Sequence, residues 1–286
     1  MPDANDDAVL ARKMWRTLEP VHGMVYFAPE THDEYAALGF PSHRTGYFAT
    51  RAAPMGAVGA DVVIATFFNF HPDLVRRHIP AAWVAAPPER IIKARFRLAG
   101  AALGRLLGAA AEGPEMQEAA TLAREAALGC RPEGRPLYAG HASLDWPADP
   151  HLVLWHAVTL LREYRGDGHV AALTTDGVGA CEALVLHAAT GEVPAATLRS
   201  SRAWSDDEWR AASEGLRDRG WLDDAGALTD AGGAHRSAVE HRTDELALKP
   251  WTHLGTDACD RLRTLVRPMS RAVVEAGTFS KSIWED

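Results

Sequence analysis

Seventeen prolines, spread among alanine-rich segments with apolar residues at helical spacing, constrain the fold of this 286-residue chain more than any other feature. Proline is costly inside a helix, by about 3 kcal/mol, and collects at first turns and stops. Alanine is the best helix former. The pattern therefore predicts many moderate helices separated by firm stops, a mostly α fold without a dominant sheet. A hydrophobic content of 47% with 24% charged residues suits a soluble globular protein with a sizeable core. The length suits one large or two ordinary domains.

Taken in order, residues 5–28 read as a first helix that Pro20 kinks or whose first part it ends. Thr31, with Glu34 three residues on, is the expected N-cap of a short helix ending at Gly39. Residues 43–51 read as a connector. Helices are then expected over 57–68, 72–78, 89–107, 114–128 and 151–164, with Gly166-Asp167-Gly168 breaking the last of these. Another is expected over 178–189. In the final third Val193–Leu198 forms a short helix, Ser205 and Glu208 form a capping box for 206–219, and Thr229 caps a long helix to about Lys249. Asp223-Asp224-Ala225-Gly226 lies between two very short strand candidates. A helix over 257–276 and a loose tail close the chain. These elements predict a helical domain over 1–175 and a second domain over 176–286.

Helix, helix, helix, short hairpin and long helix is the order of a winged helix-turn-helix. LRDRGWL followed by LTDAGGAHR is similar to the wing pattern of multiple-antibiotic-resistance-type regulators, over roughly residues 178–249. The whole chain resembles an actinobacterial helix-turn-helix family through VHGMVYFAPE, RPLYAGH, LREYRGDGH and the wing region. The resemblance implies architecture and no particular chemistry.

Charge weighs against DNA as a partner. The chain carries a formal net charge of −8. Between Ser205 and Pro250 there are eleven Asp or Glu against six Lys or Arg. A third helix opening Asp206-Asp207-Glu208 would set carboxylates against phosphates. A domain kept for packing or dimerisation is the favoured reading of the winged helix.

Histidines concentrate between residues 136 and 191. His141 with Asp145, and His156 with Glu163, offer pairs suited to acid–base chemistry. His141, His156 and His169 are thus the catalytic candidates should the chain be an enzyme. No spacing completes a metal-binding signature, so no metal site is expected. The glycines of Arg162–His169 would allow an anion-binding backbone concavity beside Arg162 or Arg165. The kinked first helix presents His22, Tyr26 and Glu30. A pocket lined by His22, Tyr26, Trp155, His156, Arg162, Arg165 and His169 is therefore expected. Trp15, Trp83, Trp146, Trp155 and the Phe67/Phe68/Phe70 cluster are candidate walls. Cys130, Cys181 and Cys259 are too widely spaced for a disulfide framework and read as reduced thiols.

These observations point to a cytoplasmic, ligand-binding winged-helix protein, free or as a homodimer, with a small molecule as partner and no membrane. No signal peptide and no spanning segment is evident. A small-molecule enzyme using a His/Arg-lined pocket is the alternative. The cofactor is unknown, and a tetrapyrrole held by one histidine stays open.

Overall fold

The computed structural model describes residues 4–279, and the expected loose tail falls largely outside them. Fifteen α-helices account for most of the described chain. The first seven are α1 (Ala4–Gly23), α2 (Glu30–Ala37), α3 (His43–Ala52), α4 (Ala60–Phe67), α5 (Pro72–Ala85), α6 (Pro88–Leu107) and α7 (Pro114–Leu128). Then come α8 (Pro136–Ala142), α9 (Pro150–Thr175), α10 (Ala180–Ala188), α11 (Ala195–Arg202) and α12 (Asp206–Asp218). The last are α13 (Asp230–Leu246), α14 (Lys249–Leu254) and α15 (Thr256–Glu275). The mostly α fold class is as the proline and alanine pattern predicted.

Proline acts mainly at helix starts. It occupies the first turn of α5, α6, α7, α8, α9 and α14, where its missing N–H is not needed. The Ser205–Glu208 capping box of α12 forms as expected, and Thr229 accepts from the Gly232 N–H to cap α13.

Four local expectations are corrected. First, residues 43–51 are no connector but the buried helix α3, capped by Ser42. Its Arg44, Thr45, Thr50 and Arg51 are buried alongside its apolar residues, so its polar side chains do not mark a solvent face. Second, Gly166 and Gly168 do not break a helix: α9 runs uninterrupted for 26 residues. Its glycines serve close packing, since a Cβ at Gly168 would lie 2.9 Å from the Arg135 guanidinium and 3.2 Å from Leu246. Third, Thr31 lies inside α2 and donates to the Ala28 carbonyl rather than capping the helix. Fourth, the two strand candidates reduce to one antiparallel bridge, Leu222–Leu228, around a turn in which Gly226 has φ +83°.

Two apolar clusters form. The larger takes buried residues from α1 to α9 and, from the chain's end, Trp251, Cys259, Leu262, Val266 and Val273. Helix α15 thus packs against α1, α6 and α7. The smaller joins the end of α9 to α10, α12, the bridge and α13. Helix α10 packs on both α11 and α12. The long helix α9 passes from one cluster into the other.

The glycine in LTDAG has a packing reason. A Cβ at Gly232 would lie 2.0 Å from the Trp221 carbonyl oxygen, so α13 rests directly on the backbone of the turn. Gly232→Ala is expected to lower stability by about 1–3 kcal/mol in urea unfolding. A variant as stable as the parent would show that the turn does not bear on α13.

Candidate functional site

A cleft of about 740 Å³ opens where the two apolar clusters meet. Helices α1, α3, α9, α10, α11 and α13 and the segment after α4 supply its walls. A side chamber of about 560 Å³ shares Trp15, Arg16, Tyr47, Arg51, Arg162 and Arg202 with it and continues to His22, Tyr26, Phe27 and Phe279. Six arginines line the cleft (Arg12, Arg16, Arg51, Arg162, Arg202 and Arg236) against the three carboxylates Asp167, Glu192 and Glu240. Arg12 pairs with Asp244 at 2.7 Å, and Arg51 and Arg162 with Glu163, so carboxylates behind the wall offset half of these cations. Cationic walls in a recess focus the potential on anions. The apolar part of the wall mixes aromatic rings, Trp15, Tyr47, Phe67, Phe68 and Phe70, with aliphatic residues such as Leu173, Leu184, Leu198 and Leu228.

Behind the cleft floor lies a charge cluster. Glu163, 0% exposed, accepts from Arg51 Nε at 3.0 Å and Nη2 at 2.8 Å, and from Arg162 Nη1 at 3.1 Å. Arg51 also sits over the Phe67 ring, 4.4 Å from its centroid. Burial alone would raise the Glu163 pKa, but Arg51 and Arg162 outweigh it and hold the carboxyl well below the usual range. Burial raises Glu19, only partly offset by Arg162, 3.8 Å away. Asp167 is pushed up to about 6 by burial, against the hydrogen bond it accepts from the Tyr138 N–H at 2.9 Å.

Phe68 is the strained point of the wall. It has φ +62° and ψ −63°, and the Asn69 N–H donates back to the Phe67 carbonyl at 2.8 Å. This is a γ-turn, a rare conformation for a bulky residue. The turn carries Phe68 from the larger cluster onto the smaller one. The next residues tie down α11 and α12: His71 N–H donates to the Arg202 carbonyl, Trp204 Nε1 donates to the Asn69 carbonyl, and His71 pairs with Glu208 at 2.9 Å.

The predicted site residues divide. Arg162 and His169 line the cleft, and His22, Tyr26 and Arg162 line the side chamber. His22 Nδ1 is 3.2 Å from Thr159 Oγ1 and its ring meets Tyr26 edge-on. His169 Nδ1 is 2.9 Å from Thr243 Oγ1. Burial lowers the pKa of both histidines. Arg165 instead braces α9 to α13 through Asp244 at 2.7 Å. Trp155, His156 and His141 are in the core, 1% exposed each, and line neither the cleft nor its chamber. The sequence-spaced pairs are not made: Asp145 is exposed while His141 is buried, and Glu163 engages Arg51 and Arg162. The backbone concavity expected at 162–169 is also absent, because those amides lie within α9.

Of the candidate walls, Trp15 and the three phenylalanines do line the cleft. Trp83 donates to the Val58 carbonyl, and Trp146 packs against His156. Tyr47, Arg51 and Arg202 are cleft residues that sequence reasoning missed. Arg51 carried no signal, since its partner is 112 residues away. The cysteines are buried, and burial pushes the thiols of Cys130 and Cys181 up to about 12 and Cys259 up to about 11. Among the described residues no group of three or more His, Cys, Asp or Glu could hold a metal ion. No helix among them is long and apolar enough to cross a membrane.

Helices α10, α11 and α12 and the Leu222–Leu228 turn precede the long helix α13. The chain is a member of a helix-turn-helix family whose sequence profile matches residues 11–280. No curated protein and no solved structure matches it.

Proposed function

We propose that this helix-turn-helix protein binds a small organic anion with a flat apolar body in the cleft. The observation that carries the reading is the cleft wall itself, with arginines for an anionic group and aromatic rings for the body. Arg236, which meets His187 Nδ1 at 3.3 Å, is a suitable anchor on the α13 side. Walls drawn from both clusters make occupancy a means of biasing how the helix-turn-helix part sits, which is a regulator-like arrangement. Residues 180–246 would then form a winged helix of the multiple-antibiotic-resistance type, with α12 in the recognition position.

That helix is a poor DNA reader. Asp206, Asp207, Glu214 and Asp218 are exposed on α12, with Arg210 the one exposed cation among its described residues. Arg210 is itself paired with Asp207 at 2.9 Å. The favoured role is ligand-dependent packing against a second protein surface or a second copy.

Calorimetric titration with benzoate and 1-naphthoate tests the reading. Saturable binding is expected, tighter for the larger ring, and weakened about tenfold or more in Arg236→Gln, as loss of one charge-assisted contact implies. No heat with either carboxylate, or equal binding to Arg236→Gln, would overturn it. Duplex DNA at low salt should give no complex; tight DNA binding would reverse the reading of α12.

A further inference from the structure

The side chamber of about 560 Å³ gives the cleft a second compartment. A whole drug-sized ligand takes a pocket of roughly 300–1,000 Å³, so cleft and chamber are each of that order. A ligand no longer than one or two rings in the cleft leaves the chamber unused. Every arginine of the chamber (Arg16, Arg51, Arg162 and Arg202) is one that it shares with the cleft. Away from that shared wall it is lined by Pro20, Gly23, Tyr26, Phe27, Val274 and Phe279. Charge therefore lies on the cleft side and hydrocarbon on the far side.

The polar groups of that far side have partners within the fold. His22 Nδ1 is 3.2 Å from Thr159 Oγ1, and burial lowers its pKa well below the usual value, so the ring is neutral. The Tyr26 hydroxyl accepts from Arg95 Nη2 at 3.1 Å, and Glu19 accepts from Trp15 Nε1 at 3.0 Å. Phe279 closes the outer wall edge-on to Phe27, with 5.3 Å between ring centroids. Gly23 lies beneath it. Its φ of −69° and ψ of −22° are open to any residue, and a Cβ there would lie at an ordinary 3.5 Å from Phe279 Cε1. Neither backbone nor packing requires glycine at this position, and a longer side chain would enter the chamber.

We propose that the chamber is a tail subsite of the cleft, taking the alkyl chain of an amphipathic carboxylate whose aromatic head is held in the cleft at Arg236. The inference rests on the cleft reading and narrows its ligand from a compact aryl anion to one that carries a chain. Gly23 sets the depth to which the chain enters.

Calorimetric titration of the full chain with 4-octylbenzoate and with benzoate tests the subsite. Each methylene taken out of water multiplies affinity about fourfold, so 4-octylbenzoate is expected to bind at least about 100-fold more tightly than benzoate. Gly23→Leu is expected to remove most of that advantage while leaving the Kd of benzoate within about twofold of the parent. Val274→Trp, at an exposed position of α15 on the chamber wall, is expected to do the same and serves if Gly23→Leu does not fold. Equal affinity for the two carboxylates, or an advantage that survives in both variants, would overturn the tail subsite and leave the cleft reading standing. The uncharged 4-octylbenzamide separates the two ideas. Binding of the amide that Gly23→Leu weakens, with no heat from benzoate, would support the chamber and overturn the anion reading. No heat from any of the three compounds would overturn both.

Discussion

Glu163→Gln is expected to lower stability by about 3–5 kcal/mol, and Tm by about 10 °C. The substitution removes the negative charge from a fully buried carboxylate that faces two guanidiniums, Arg51 and Arg162. It leaves both cations in the core with one neutral acceptor. Buried ion pairs give little net gain over apolar residues, but breaking one side of such a pair is strongly destabilising. The double variant Arg51→Met, Glu163→Leu should therefore be less damaged than the sum of its two single variants. Urea unfolding of all three, read as a double-mutant cycle, measures the coupling. Strict additivity would mean that the pair is not coupled and would refute this account of the cleft floor.

Acid should weaken the fold before its carboxylates are fully protonated. Burial depresses His141 to about 3 and His156 to about 4, with Arg95 adding to both, and it lowers His22 well below the usual value. In the unfolded chain each titrates near 6.5. Between those values the unfolded state binds more protons, so stability is present above pH about 6.5 and falls as pH drops. Each histidine contributes about 1.4 kcal/mol per pH unit. Asp167, raised to about 6 by burial, acts in the opposite sense below that pH and cancels one histidine. On going from pH 7 to pH 5, His141→Phe is expected to lose about 2 kcal/mol less than the parent, and Asp167→Asn is expected to lose more than the parent. If urea unfolding gave parallel losses for the parent and His141→Phe, His141 would not be a buried neutral histidine.

The aromatic cluster at Phe67, Phe68 and Phe70 and the arginine of the Arg162–His169 run, both singled out in the sequence, line the cleft, and their residue types are local properties. Ser205 and Thr229 were legible as caps, since a cap and its amide lie within three residues. Arg51 was not legible. Helix α3 is buried all round, its polar side chains included, so those residue types pointed to solvent rather than to the core. The glycines of α9 misled for a related reason. Glycine marks a break when its backbone needs positive φ, but Gly166 and Gly168 are there because an arginine or a neighbouring helix comes too close for a Cβ.

The sequence by itself determined the mostly α class, the helix starts at proline and serine, and the acidic face of α12, because each follows from backbone preference or charge within a few residues. Only the tertiary structure decided that α15 completes the first cluster, that α9 is one helix, and that Arg51 joins Glu163 across 112 residues. The same holds for the gathering of six arginines around one cleft in an acidic chain. Burial and ion pairing depend on which distant surfaces meet, and that is settled by how whole helices pack.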